Sequence, residues 1–486
     1  MDTKRIASGS RRSTAVGSAS QSHAAERDRV LQFLKRYGWN ATSFQCLEEG
    51  MSYWFDEVAD ACVAYADTGS AWVVAGAPIT APERLQEAAE RFADAARAQR
   101  RRVCFFAAEH RFTAAVPFLS VRIGEQPVWD PSSWAESVGQ SKSLREQFRR
   151  ARVKGVSVRL VPPEELADPS SGTRQAVERL IRQWLTSRPM APMGFLVQLD
   201  PFPFAEERRF FVAEQSGCCL GFLAMVPVYQ RDGWLLEDLL REAASPNGTS
   251  ELLIDAAMRT AAGEGSCFCT LGLAPLAGRL PRWLQIARAL GSSFYNFEGL
   301  RAFKNKLRPR RWDRVYLCYP PDQNPLLVFY DVLAAFAPRG LFRFGIETLL
   351  HAPALPMRLL ALLLIPWTAL LALAPTDRWF PAAWVQIGWV AFDLFLIAGL
   401  LSLSTKWRTW LATLLAVLIS ADAVLTLIEV ATFNLPRARG ALDGIVSAIA
   451  VVGPTLAAAF LWAARRQPGR SSDPGAASRL VAGERG

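Results

Sequence analysis

Clustered cysteines, paired histidines and a glycine-rich phosphate loop are all missing from this chain of 486 residues. Its three histidines, His23, His110 and His351, have no partner at metal-ligand or catalytic-triad spacing. That argues against a sequence-local zinc site or a hydrolase triad. Eight cysteines are scattered, with Cys218 and Cys219 adjacent and Cys267 and Cys269 two apart, so no CxxC pair occurs. They read as reduced thiols of a cytosolic domain. The Ser-, Arg- and Ala-rich stretch 1–24 lacks an apolar h-region, which excludes a secretory signal and predicts an unfolded tail. Acids are in deficit: 45 Asp and Glu against 55 Lys and Arg give a net charge of +10. Such a surplus points to anionic partners, nucleic acid or acidic lipid.

What is present divides the chain. At 51% hydrophobic content it can bury two or three domain cores. From Arg27 to about Pro320, helical periods alternate with apolar runs such as "AWVVAG", "RRVCFFAA", "CLGFLAMVPV" and "VYLCYP". This is α/β or α+β patterning. Beyond Pro356 follow four apolar stretches, near 357–375, 380–403, 408–431 and 441–464. Each is long enough for a bilayer core, which takes roughly 20 helical residues. Cations flank one side (Arg339, Arg343, Arg358, Lys406, Arg408, Arg465, Arg466, Arg470) more than the other (Arg378, Arg437, Arg439). The positive-inside bias predicts both termini and the soluble part in the cytoplasm, beneath the inner (plasma) membrane. Asp393, Asp422 and Glu429 fall within the spans, where carboxylates face a protein interior or a polar cavity. Fixing how the helices pack is the expected role, with transport the alternative.

Three stretches carry candidate chemistry. In "LLEDLLREAASPNGTSELLIDAAMRTA", Leu235 to Ala261, a strand leads through a Pro-Asn-Gly turn to a helix that Thr249 or Ser250 can cap. An acetyl-CoA site would want free amides there, yet Pro246 removes a donor and Glu251 and Asp255 add negative charge. Coenzyme A is disfavoured and an ammonium group favoured. Asp238 and Arg241 lie just upstream. In "SKSLREQFRRARVKGVSVRL", Ser141 to Leu160, Arg145, Arg149 and Arg152 share one helical face and Leu144, Phe148 and Ala151 another, with Glu146 the interspersed acid. This predicts an anion-binding helix. Third, "FYNFEGLRAFKNKLRPRRW", Phe294 to Trp312, mixes aromatics with Arg301, Lys304, Lys306, Arg308, Arg310 and Arg311 around Glu298. A polyanion that offers flat faces would suit both residue types.

"DLLREAASPNGTSELL", "LGLAPLAG" (271–278) and "FYNFEGLRAFKNKLRP" resemble successive motifs of the lysyl-phosphatidylglycerol synthase family, the aminoacyltransferase domain of bacterial multiple peptide resistance factors. "VLQFLKRYGWNATSF", "GAPITAPE" and "SKSLREQFRRARVKG" are similar to its N-terminal half. The resemblance runs over about residues 27–320. It implies an α+β fold of tandem acyltransferase-like (GNAT-like) halves, here followed by an all-α transmembrane bundle of four helices. The expected divisions are a tail at 1–24, halves at 25–160 and 161–325, a juxtamembrane linker at 326–356, membrane helices at 357–465 and a tail at 466–486.

The implied activity is aminoacyl-tRNA-dependent transfer of an aminoacyl group to phosphatidylglycerol, with no metal or organic cofactor. By the same resemblance, Asp238 and Glu298 would hold the amino group. Arg241, Arg301 and Lys304 would bind phosphate and neutralise charge on the ester. Asn247, Glu251, Tyr295, Asn296 and Lys306 would line the substrate with Arg145, Arg149 and Arg152. Ala77 stands where the family commonly carries an aspartate, and the membrane unit follows the synthase part rather than preceding it. Two alternatives stay open: a different acceptor, such as another polar lipid or a peptidoglycan precursor, and a non-catalytic membrane protein that binds anionic lipid or RNA.

Overall fold

Runs of β-branched and aromatic residues in the first 320 positions form strands of one mixed sheet, because both of its faces are covered by helices. The computed structural model describes residues 23–188, 191, 193–291, 295–351, 354–438 and 440–466. The expected tails therefore lie almost wholly outside the described residues, as do Phe294, Arg439 and Arg470. The described residues up to Leu185 and from Met193 to Leu341 form one compact unit. Those from Phe342 onward, with the segment at 186–191, form a second.

The strands are β1 (Ser52–Asp56), β2 (Ala61–Asp67), β3 (Ala71–Ala75), β4 (Arg102–Ala108), β5 (Leu119–Trp129), β6 (Ser157–Val161), β7 (Arg209–Gln215), β8 (Cys218–Val228), β9 (Gly233–Arg241), β10 (Phe268–Thr270), β11 (Ala274–Pro275) and β12 (Arg311–Tyr319). Their order is β1-β2-β3-β4-β12-β5-β10-β9-β8-β7-β6, with β11 on β5. The helices needed below are α1 (23–37), α2 (Leu85–Ala98), α3 (Lys142–Val153), α4 (Thr249–Gly263), α5 (Arg282–Gly291), α6 (Phe297–Lys306) and α7 (Pro325–Phe336), then α8 (Ala354–Leu373), α9 (Ala383–Thr405), α10 (Thr409–Glu429) and α11 (Ala441–Arg465).

One arrangement occurs twice. β1, β2 and β3 run antiparallel, α2 crosses over, and β4 lies parallel to β3. β7, β8 and β9 repeat the antiparallel run, α4 crosses, and β10 lies parallel to β9. This is the expected tandem architecture. The halves are not cut cleanly along the chain, however. β6 straddles residue 160 and pairs with β7, and β12 returns to lie between β4 and β5.

The central face of the sheet is covered by α1, the segment around Phe195 and Leu196, and α7, through a core that includes Leu34, Phe44, Val226, Leu235 and Val328. On the opposite face α2 covers the first half, while α3 and α4 cover the second through Leu144, Phe148, Leu253 and Ile254. α7 begins inside the stretch expected as a linker. It is locked to the first unit by Asp331, which is fully buried and accepts from Arg102 Nε and Nη2, both at 2.7 Å, and from Ser70 Oγ at 2.8 Å. Its outer side, Leu326, Leu327, Tyr330 and Leu333, is exposed.

In the second unit, α8, α9, the segment Thr409–Arg437 that contains α10, and α11 are each long and apolar enough to cross a membrane. Leu400, Leu403, Ala412, Leu415 and Leu461 pack at the centre. Two of the three expected intramembrane carboxylates join neighbouring helices. Asp393 accepts from Thr368 Oγ1 of α8 at 3.1 Å, and Glu429 accepts from Trp389 Nε1 of α9 at 3.0 Å. Asp422 accepts from Thr426 within its own helix at 3.1 Å.

Candidate functional site

Strand alternation fails at one place on β9. Ala224 of β8 faces Asp238 whereas Met225 faces Leu236, so Glu237 is an extra residue. A bulge of this kind breaks the two-residue period and re-aims side chains. Glu237 and Asp238 consequently share the face on which Leu235 and Leu240 are buried, while Leu236 and Leu239 pack on the α4 side. Glu237 has its counter-ion. Arg208, also buried, donates to it at 2.9 Å and lies over the Phe44 ring, 5.0 Å from its centroid.

Asp238 has none. It is 7% exposed, and among the described residues it has neither a hydrogen bond nor an ion pair. Burial, and then the charge of Glu237, push its carboxyl well above the ordinary carboxylate range, with Arg208 opposing. Asp200, which is exposed, adds negative charge toward it.

A third acid comes from the other half of the unit. Glu48 follows the short turn Phe44–Leu47, and both its carboxyl oxygens are enclosed without accepting a hydrogen bond. The amides of Leu196 and Gln198 face it without reaching hydrogen-bond geometry. Burial and the charges of Glu237 and Asp238 push Glu48 up to about 9. Phe195 and Leu196 alongside are held at φ 43° and 62°. Left-handed backbone costs a non-glycine residue on the order of 1–2 kcal/mol, and such strain gathers at functional sites. Unpaired buried acids are also costly, so this group suits a cationic ligand.

The remaining expected residues are distributed differently. The alternation that resumes after the bulge puts Arg241 on the face opposite Asp238, where its Nη1 donates to Ser245 Oγ at 3.2 Å. These two therefore do not form one site. Lys304, expected to bind phosphate, is turned inward: its ammonium is buried and donates to the carbonyls of Leu271, Gly272 and Leu273 at 2.8, 2.9 and 3.0 Å. Burial pushes it down to about 7. The carbonyls oppose that, because a neutral amine has two N–H groups for three acceptors.

Arg301 donates to Glu125 at 2.8 Å and lies over Trp312, 4.7 Å from its centroid, so it is held in place rather than free. Asn296 caps α6, accepting from Gly299 N at 2.7 Å, and Tyr295 packs on Phe297, ring centroids 4.8 Å apart. Glu298 is exposed in the first turn of α6 and has no partner among the described residues. It is not joined to Asp238.

At the start of α4, Gly248 rather than Thr249 or Ser250 takes the capping position. Its φ is 97°, and a Cβ there would fall 2.1 Å from the Gln147 carbonyl oxygen of α3. Thr249 Oγ1 instead donates to the Pro246 carbonyl at 2.7 Å. Asn247 is exposed, and Glu251 lies 3.6 Å from Lys306. On α3, Arg145 donates to the carbonyls of Val138 and Gly139. Arg149 pairs with Glu146 at 2.8 Å and Arg152 with Asp255 at 3.5 Å. These last two arginines stay about 60% exposed, and exposed pairs of this kind are worth little. They can exchange partners for an external anion. No group of three His, Cys, Asp or Glu side chains among the described residues is placed to hold a metal ion.

Sequence reasoning missed Glu48, Glu237 and Arg208. The available signal was the adjacent "ED" pair in an otherwise apolar strand, which is where a bulge is worth suspecting.

Comparison with known proteins bears on this arrangement. A family profile described as phosphatidylglycerol lysyltransferase, C-terminal, matches residues 31–319. A phosphatidylglycerol lysyltransferase of Bacillus subtilis is 24% identical over 313 residues, 62% of this chain and 36% of the relative. A lysylphosphatidylglycerol biosynthesis bifunctional protein, LysX, of Mycobacterium sp. (strain JLS) is 26% identical over 236 residues, 42% of this chain and 20% of the relative. The chain thus spans about a third or less of the length of these relatives. Among solved structures, L-PGS from Bacillus licheniformis superposes with a TM-score of 0.55 at 20% identity, covering 63% of this chain and 95% of that one. The C-terminal domain of a proposed lysylphosphatidylglycerol synthetase from Agrobacterium fabrum gives 0.55 at 21% identity, covering 64% and 96%.

Proposed function

The chain belongs to the phosphatidylglycerol lysyltransferase C-terminal family, and on that premise we propose that it transfers an aminoacyl group from a charged tRNA to phosphatidylglycerol. The observation that carries this reading is the unpaired, buried Asp238 on the bulge of β9. An acid so placed binds the ammonium of the aminoacyl ester and holds the ester carbonyl in one orientation. Orientation of this kind supplies much of the catalysis in a two-substrate reaction. The glycerol hydroxyl of the lipid attacks that carbonyl, a new C–O ester bond forms, the bond to the tRNA ribose breaks, and the ribose oxygen leaves with a proton. Glu298, exposed and unpartnered, remains available to the substrates. Expression of the chain in a host without aminoacylated lipids tests the reading by lipid extraction: a new cationic aminolipid is expected, and its absence would overturn the assignment.

The tRNA partner is supported by the exposed cations of α3. Replacing Arg145, Arg149 and Arg152 by Ala should weaken tRNA binding and flatten its dependence on salt, since each neutralised phosphate contributes to the slope. An unchanged slope would show that these arginines serve only their internal partners.

The lipid partner is supported by the outer side of α7. There Leu326, Leu327, Tyr330 and Leu333 are exposed. Trp283 and Ile286 of α5 are exposed as well, with Trp283 against Phe329 at 5.3 Å. Arg279 and Arg282 beside them are exposed and have no partner among the described residues. Apolar and aromatic side chains rimmed by free arginines suit the interface of an anionic bilayer. Leu326→Glu combined with Leu333→Glu should lower transfer to bilayer lipid at least tenfold while tRNA binding is kept. Undiminished transfer would dismiss this surface. The flanking cations favour the cytoplasmic side of the membrane for the transferase unit.

A further inference from the structure

A cleft opens at the carboxyl ends of β3 and β4, the two parallel strands of the first half. In open sheets ligands bind outside the carboxyl ends of parallel strands, where the departing turns leave a crevice. Here both strands end in left-handed backbone, Gly76 at φ 81° and Ala107 at φ 62°. Such strain in a non-glycine residue gathers at functional sites. Residues 39–43 form one wall. A Cβ on Gly76 would fall 2.7 Å from Asn40 Nδ2 and 3.0 Å from Thr42 Oγ1, so this segment lies directly on the turn after β3. It is fixed there by Ala41 N, which donates to Glu109 Oε1 at 2.8 Å. Trp39, Asn40, Ser43, Ala77 and Arg111 line a recess of about 20 Å³, room for one small group.

The polar lining of this recess is left without partners. Ser43 is 4% exposed and its Oγ makes no hydrogen bond, and Arg111 Nε is likewise enclosed without one. Thr42 Oγ1 is in the same state beside them. The Arg111 guanidinium lies over the Trp39 ring, 4.9 Å from its centroid, and has no ion pair among the described residues. Burial pushes it below its usual range, and the acid that opposes this, Glu83, is exposed. Arg231 supplies the contrast. It lies over the same ring at 5.5 Å, yet Glu109 at 2.9 Å and Asp313 at 3.6 Å neutralise it. A half-buried guanidinium and an enclosed hydroxyl have both lost water, and each gains from an acceptor brought by a ligand.

We propose that this cleft binds the phosphate group of a small soluble ligand, held by Arg111 and the Ser43 hydroxyl. The guanidinium fork can donate to two oxygens while the hydroxyl donates to a third. The two donors come from different segments, Arg111 from the short helix after β4 and Ser43 from the wall at 39–43, which suits a group with oxygens on several sides better than a flat carboxylate. The recess admits the phosphate alone, so the rest of the ligand lies at its mouth. The site shares no residue with the acid group on β9, and the inference goes beyond the aminoacyl-transfer reading without resting on it.

The test uses the full chain in detergent with inorganic phosphate as the probe, followed by calorimetry and by the thermal midpoint. Phosphate should bind saturably, raise the midpoint, and bind roughly tenfold more tightly than acetate. Ser43→Ala removes a hydroxyl that has no partner, so the phosphate-free midpoint should equal or exceed that of the wild type while affinity for phosphate falls roughly tenfold. Arg111→Gln should abolish binding and Arg111→Lys should keep part of it. Ala77→Asp places a carboxylate in the wall of the cleft and should expel phosphate. Binding of wild-type strength in both Arg111→Gln and Ser43→Ala would overturn the proposal, since the phosphate would then sit elsewhere on this basic protein. Equal binding of acetate would overturn the choice of phosphate. Displacement of bound phosphate by tRNA or by phosphatidylglycerol vesicles would overturn the small ligand and give the cleft to a macromolecule. Aminolipid formation is read in none of these measurements, so failure of the cleft leaves the transfer reading standing, and failure of that reading leaves the cleft.

Discussion

Asp238→Asn is expected to reduce aminolipid formation roughly a hundredfold or more, while the protein folds as well as the wild type. The size follows from removing one partner of a buried charge pair, which costs about 3–5 kcal/mol once the ammonium is bound. About 2.7 kcal/mol already corresponds to a hundredfold in rate. The unchanged fold follows from the lack of any hydrogen bond or ion pair to Asp238 among the described residues. The raised carboxyl of Asp238 binds its proton more tightly in the folded than in the unfolded state. Stability is therefore lost as pH rises from the ordinary carboxylate range toward the folded value, and the Asn variant is spared that loss. At neutral pH its thermal midpoint should equal or exceed that of the wild type. A variant that unfolds early, or one that makes aminolipid at the wild-type rate, would remove Asp238 from the site.

Lys304→Met should act in the opposite way, through stability. Its ammonium serves the carbonyls of Leu271, Gly272 and Leu273 at the join between β10 and β11, and the side chain is buried. Methionine fills the volume but donates nothing, and each buried carbonyl left without a donor costs about 1–3 kcal/mol. Three of them put the expected loss at several kcal/mol, a fall in thermal midpoint on the order of 10 °C for a unit of this size. Activity should fall with the folded fraction and recover on cooling. If Lys304→Met kept its thermal midpoint and lost turnover, the lysine would touch substrate after all.

The two cases show why candidate residues were only partly legible. Asp238 and Lys304 stand in motifs of equal clarity, and in each a charge lies among apolar neighbours. One proves unpaired and the other fully paired, and the difference lies in residues distant along the chain. Arg301 behaves like Lys304, since its partner Glu125 is on β5. Arg241 stands three residues after Asp238, and the regular alternation of β9 beyond the bulge puts the two on opposite faces.

By itself, the sequence determined what depends on neighbours a few positions apart. The apolar spans after Pro356, the strand and helix periods before them, the basic face of α3 and the order of the motifs are local patterns, and hydropathy and side-chain periodicity are read one segment at a time. Only the tertiary structure decided which charges remain without a partner. Desolvation and ion pairing depend on distances in space. The bulge that puts Glu237 and Asp238 on one face, where their charges raise Glu48 of the other half, is announced by no periodicity. The same holds for β12, which leaves the second half and pairs between β4 and β5. Its register is set by backbone hydrogen bonds to strands far upstream rather than by the run of residues that forms it.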